Sequence, residues 1–99
     1  MPYIHGTLRQ DADFYIENLV HVIERNCDET RYGMVNYAVT RITLGALKPE
    51  DGWSYAALSH AIAVLRDAAH EMERRLMDPH EDAAMQRNRD IPEYRKEHP

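Results

Sequence analysis

Between Asp11 and Asn26 the apolar residues Phe14, Ile16, Leu19, Val20 and Ile23 recur one to three positions apart, with i,i+3 and i,i+4 pairs among them and Glu17, Glu24 and Arg25 on the other side. That spacing predicts an amphipathic helix over about 11–26, capped by Asp11 or Asp13 and widened by Val22. Residues 1–10, with Tyr3 and Ile4 set off by Gly6, read as an extended start. Asn26-Cys27-Asp28 reads as a break. A second helix follows over about 29–46, with Met34, Tyr37, Ala38, Ile42 and Leu44–Leu47 giving a broad apolar face. Asp28 or Thr30 suits its cap, and Glu29 suits its positive end. Val35, Val39, Thr40 and Thr43 make a strand the competitor, but the period is not two. Lys48-Pro49-Glu50-Asp51-Gly52 is a loop. Ser54 then caps a long helix over about 54–77, carried by Tyr55, Leu58, Ile62, Leu65, Ala69, Met72 and Leu76 and rich in alanine. Asp78-Pro79 interrupts it, and Pro79 at a first helical position opens a further piece over about 80–89. The end, from Asp90, is polar and flanked by proline.

The predicted fold is a small all-α domain covering 1–99. It has an extended N-terminal arm (1–10), a three-helix core (11–77) and a C-terminal helical extension or arm (78–99). The apolar stripes are wide for a 99-residue chain, and exposed apolar area on a small domain marks an interface. A homo-oligomer is therefore expected, with the terminal arms contributing. Size points the same way. A pocket of roughly 300 Å³ or more would consume much of so small a core, so a site between subunits is easier to build.

Charge and composition then exclude function classes. Seventeen acidic against twelve basic residues give a net charge of −5, which argues against polymeric nucleic acid as a partner. It leaves room for a small anion held by a few arginines. No apolar run approaches the ~20 residues that cross a bilayer, and no basic start precedes an apolar stretch. No membrane partner and no signal peptide are therefore expected. The single cysteine, Cys27, forms no internal disulfide, and a reducing, cytoplasmic setting follows. Phosphate-loop, dinucleotide, zincin and hydrolase-elbow motifs are missing, and no cofactor is called for.

The candidate chemistry is sparse. His60 and His70 lie ten apart on one helix and do not share a face. His80-Glu81-Asp82 is an acidic cluster at a helix start, where the dipole favours acids. No metal site is assigned. Asp67, Glu71, Glu73 and Asp78 alternate with Arg66, Arg74 and Arg75, the pattern of a salt-bridged outer face. Read as metal ligands, Asp67, Glu71, Glu81 and Asp82 would instead suit a metal-dependent all-α nucleotide hydrolase. Cys27 sits beside Asp28 and Glu29, whose charge is expected to raise its pKa. Ser54 and Ser59 have no base beside them, and no catalytic residue is assigned.

One patch is more specific. In Asn36-Tyr37-x-x-Thr40-Arg41, two i,i+4 pairs lie on adjacent ridges of the second helix. An amide, a hydroxyl, an aromatic ring and a guanidinium midway along an apolar helix have two readings. One is a hydrogen-bonded structural network at a subunit interface, with Arg41 paired to a carboxylate. The other is a ligand site, with the ring stacking a base, the guanidinium holding a phosphate and the amide reading a base edge.

The start Met1-Pro2-Tyr3-Ile4 with Arg9, the core Gly33-Met34-Val35-Asn36-Tyr37-Ala38-Val39-Thr40-Arg41, the stretch Ala61-Ile62-x-Val64-Leu65 and the late Pro79-His80-Glu81-Asp82 carry a resemblance over most of the chain. They resemble a family of small, uncharacterised proteins common in phages, prophages and bacteria, a domain of unknown function. The chain departs from that pattern at His80 (Tyr in the family), at Ala63 (Gly) and at Asn88-Arg89-Asp90 (N-G-D). By analogy, the resemblance implies the setting of small acidic phage proteins that act as sponges, homo-oligomers that sequester nucleotide signals of bacterial immunity. The expected function is thus a non-enzymatic, homo-oligomeric binder of a small nucleotide-type ligand, in the host cytoplasm if phage-encoded. Asn36, Tyr37, Thr40 and Arg41 would contact that ligand, and Tyr3 and Arg9 would add to the pocket from a neighbouring subunit. The alternatives are a structural or protein–protein interaction module without ligand, and the metal-dependent hydrolase.

Overall fold

The computed structural model describes residues 3–94, and all regular structure among them is helical. The elements are α1 (Gly6–Glu24), α2 (Asp28–Leu47), α3 (Tyr55–Met72), a π-helical segment (Glu73–Met77), α4 (Asp78–Asn88) and a short 3-10 turn (Pro92–Tyr94). Met1 and Pro2 of the expected arm and residues 95–99 of the expected extension lie outside the described residues. The chain forms two compact units, 1–65 and 66–99.

In the first unit, α1 begins five residues earlier than the pattern suggests. His5 is its cap, with Nδ1 accepting the Thr7 N–H at 3.2 Å, while Arg9 Nε donates to the Ile4 carbonyl at 3.0 Å. Asp11 and Asp13 therefore lie inside the helix, and the extended start shortens to the residues before Gly6. A capping side chain outside the usual Ser/Thr/Asp/Asn set hid this start.

The break at 26–28 is as expected, and it is heavily hydrogen-bonded. Asn26 Nδ2 donates to the carbonyls of Val22 (3.1 Å) and Ile23 (3.4 Å). Arg31 reaches back from α2, with Nε on the Asn26 carbonyl (2.8 Å) and a terminal nitrogen on the Glu24 carbonyl (2.6 Å). The last carbonyls of α1, orphaned by the helix end, thus receive an amide and a guanidinium. Cys27, not Asp28 or Thr30, occupies the cap position of α2. The β-branched residues of α2 stay helical throughout.

After α2 the chain turns through Pro49, whose carbonyl accepts the Gly52 N–H at 3.0 Å. Gly52 takes φ +87°, open to glycine without steric cost. Ser54 then caps α3 as expected, its Oγ accepting the Ala57 N–H at 3.1 Å.

In the second unit, Pro79 does not interrupt the helix as expected. The turn before it widens instead. Residues Glu73–Met77 are π-helical, with the Asp78 N–H bonded to the Glu73 carbonyl five residues back. Proline has no N–H and its ring crowds the carbonyl four residues earlier, here that of Arg75; a wider turn gives it room. Pro79 sits in the first turn of α4, where its missing donor costs nothing.

The helix ends at Arg89, with φ +67° and ψ +148°. A side chain is strained in that region, which glycine occupies readily. The departure from N-G-D noted above falls on this residue. Arg89→Gly should therefore raise stability by about 1 kcal/mol net of the extra freedom it gives the unfolded chain, read as a higher Tm by circular dichroism. An unchanged or lower Tm would contradict the strain.

Little apolar surface is enclosed among the described residues. Among the described residues only Ala61 is buried. Leu8, Phe14, Ile16, Tyr32, Ile42 and Tyr55 are all more than half exposed. The helices α1 and α2 pack on each other, and Ala12, Ile23, Met34 and Ala38 are half-buried. The remaining apolar stripes face outward.

Candidate functional site on the second helix

The four expected ligand residues of α2 form the two ridges that the helical period requires. On one ridge, Arg41 donates from a terminal nitrogen to the Tyr37 hydroxyl at 2.9 Å. Its guanidinium carbon lies 5.7 Å from the Tyr37 ring centroid, within cation–π range. No carboxylate pairs with Arg41 among the described residues. On the other ridge, the Thr40 hydroxyl donates to the Asn36 backbone carbonyl at 2.8 Å and lies 3.3 Å from Asn36 Oδ1. This back-bond occupies the only donor of Thr40, and the Asn36 amide nitrogen has no partner among the described residues.

The ridges face different surroundings. Asn36 and Thr40 border an open groove of about 950 Å³, lined on α2 also by Asp28, Arg31, Tyr32, Val35 and Val39 and on α3 by Leu65. Tyr37 and Arg41 do not line it. Tyr3 and Arg9 join neither ridge by a hydrogen bond or ion pair. Tyr3 is exposed, and Arg9 is occupied with the Ile4 carbonyl. Arg31 and Tyr32 were not expected at the site. Their spacing from Val35 and Val39 (three, four and seven positions) is the signal that places Tyr32 on the groove.

The acidic face of α3 behaves as a salt-bridged surface. Arg74 Nε donates to Glu71 Oε1 at 2.8 Å, an i,i+3 pair. Among the described residues no three His, Cys, Asp or Glu side chains come together as a metal site. His21 and Glu24 form a further local pair at 2.6 Å.

Cys27 departs from expectation. The Thr30 hydroxyl, 3.2 Å from its Sγ, holds the thiol below its ordinary pKa, helped by the Thr30 backbone N–H. Hydrogen bonds at the helix start, including those of the Thr30 and Glu29 backbone, lower the thiol pKa, so the expected upward shift is reversed. Alkylation by iodoacetamide, which consumes the thiolate, should therefore set in at a lower pH than for an unperturbed cysteine. Thr30→Val should move that onset upward. An onset that stays put would remove the hydroxyl as its cause.

No helix among the described residues is long and apolar enough to cross a membrane. The family described as "Domain of unknown function (DUF6899)" matches residues 1–91. No curated protein and no solved structure matches the chain.

Proposed function

The chain belongs to the DUF6899 family, which assigns it no activity, and for it we propose non-enzymatic binding of a small, anionic, nucleotide-type ligand at a subunit boundary of a homo-oligomer. The observation that carries this reading is Arg41. Its guanidinium is held by the Tyr37 hydroxyl and ring, and no carboxylate neutralises it among the described residues. An arginine oriented by a phenol presents its remaining N–H donors as a fork suited to phosphate. Tyr37 offers an aromatic face to a base, and the Asn36 amide offers donors to a base edge. Sequestration needs only such contacts and no chemistry. In a phage setting the ligand would be a nucleotide signal of bacterial immunity, and the protein a sponge.

Mass spectrometry of what co-purifies, with thermal-shift measurements on a panel of cyclic oligonucleotides and ADP-ribose derivatives, tests this. One nucleotide class should raise the Tm and be recovered intact. Conversion of the ligand, or no shift across the panel with nothing co-purifying, would overturn the reading. A ligand-free interaction module is the second reading, favoured by the apolar lining of the groove by Tyr32, Val35, Val39 and Leu65. In that case Arg41→Ala should break the oligomer in size-exclusion chromatography with no nucleotide present.

A further inference from the structure

We infer that α2 is the centre of a two-fold dimer, packed antiparallel against α2 of a second copy of this chain. The inference does not depend on the ligand reading. It begins with the distribution of apolar side chains around α2. The half-buried Met34 and Ala38 share one side, Val35 and Val39 a second, and Tyr37 and Leu44 a third. Apolar residues on three sides are more than one neighbouring helix covers, yet among the described residues only α1 packs against α2 as a separate element.

The uncovered side has a specific pattern. Tyr32, Val35, Val39, Ile42 and Ala46 follow one another at three, four, three and four residues. This is the seam of a coiled coil, whose natural occupant is another helix. Val35 and Val39 are 46% and 39% exposed, Ile42 59% and Tyr32 80%. The open groove beside α2 runs along this seam, with Leu65 as its far bank.

Self-complementarity selects the copy and its direction. A two-fold interface must match a patch to itself. Turned antiparallel about its middle, the seam sets Val35 against Val39 of its copy and Tyr32 against Ile42. Bulky residues fall at both ends and the smaller valines at the centre. The same turn brings Asp28 and Glu29 at the start of one α2 within about a turn of Lys48 at the end of the other, and opposes the two helix dipoles. A parallel pair would place the acids side by side. Asn36 and Thr40, on the bank of the groove, then lie at the subunit boundary.

Light scattering and cross-linking of the ligand-free full chain test this. The expected mass is that of two copies or an even multiple, with a Tm that falls on dilution. Val39→Glu, which places two carboxylates at the centre of the seam, should raise the dissociation constant at least ~100-fold. Should that variant fail to fold, cysteine pairs decide. In a Cys27→Ser background, Tyr32→Cys mixed with Ile42→Cys should form an oxidised heterodimer. Tyr32→Cys alone should not link, because antiparallel copies separate its two sulfurs by roughly 15 Å along the helix. A monomer at every concentration, an odd-numbered assembly, or self-linking of Tyr32→Cys without the mixed product would overturn the proposal.

Discussion

Arg31→Ala should lower the Tm by about 10 °C, the largest stability loss expected from any exposed side chain of the first unit. The guanidinium makes two short hydrogen bonds, to the Glu24 carbonyl at the negative end of α1 and to the Asn26 carbonyl in the turn just after it. A bond from a charged donor contributes roughly 1.5–3 kcal/mol when shielded, and a cation at a helix C-terminus adds a fraction of a kcal/mol. The Arg31 side chain is 44% exposed, so water recovers part of this, leaving about 1.5–2 kcal/mol for the two bonds together. In a domain of this size each kcal/mol moves the Tm by ~4–8 °C. The nearby Asp28 carboxylate, 3.7 Å away, is an exposed ion pair and contributes little. Arg31→Lys should recover less than half of the loss, since one ammonium does not span two carbonyls in a fixed fork. Thermal denaturation by circular dichroism reads the effect, and amide exchange near Glu24 localises it. A Tm within 2 °C of the wild type in Arg31→Ala, roughly the effect of a neutral surface change, would show that the turn does not rely on this side chain.

That arginine also marks the boundary of what the sequence discloses. The break at Asn26-Cys27-Asp28, the loop ending at Gly52 and the Ser54 cap were legible because each carries its cause locally, in a polar side chain or a backbone that only glycine tolerates. Arg31 sits within a helix, and its role depends on how the chain turns before it. The start of α1 was hidden for the opposite reason, since a histidine supplied the cap that aspartates further on seemed to offer. At Pro79 the rule that proline breaks helices gave the right place and the wrong outcome, because a π turn absorbs the ring. The pairs Asn36–Thr40 and Tyr37–Arg41 followed from the helical period alone. What each ridge faces did not follow, because that is decided by α3 and by whatever covers α2. The scarcity of buried side chains among the described residues has the same origin: wide stripes on a short chain were readable as surplus apolar surface, but periodicity alone does not say how much of it stays exposed.

Arg41→Ala should weaken the nucleotide-type ligand by about 30–100-fold while leaving the unliganded Tm nearly unchanged. The two halves of this expectation come from different physics. Among the described residues the polar partner of Arg41 is Tyr37, through its ring and hydroxyl, at an exposed position, and such a contact contributes roughly 0.5 kcal/mol. Against a phosphate, a two-pronged charge-assisted contact contributes about 2–3 kcal/mol, which sets the fold-change. Arg41→Lys keeps the charge but loses the fork, so affinity should recover only in part. Tyr37→Phe keeps the stacking face and removes the hydroxyl that orients the guanidinium; an intermediate loss of ~3–10-fold is expected. Arg41 lies roughly 140° around α2 from the Val35–Val39 seam, so neither variant should alter the oligomeric mass. Calorimetric titration with the nucleotide found to co-purify, beside light scattering of the same samples, reads both quantities. Full affinity in both Arg41→Ala and Tyr37→Ala would remove this ridge as the ligand site. Loss of the oligomer in ligand-free Arg41→Ala would instead assign the cation to the subunit interface, where its missing carboxylate would be found on the second copy.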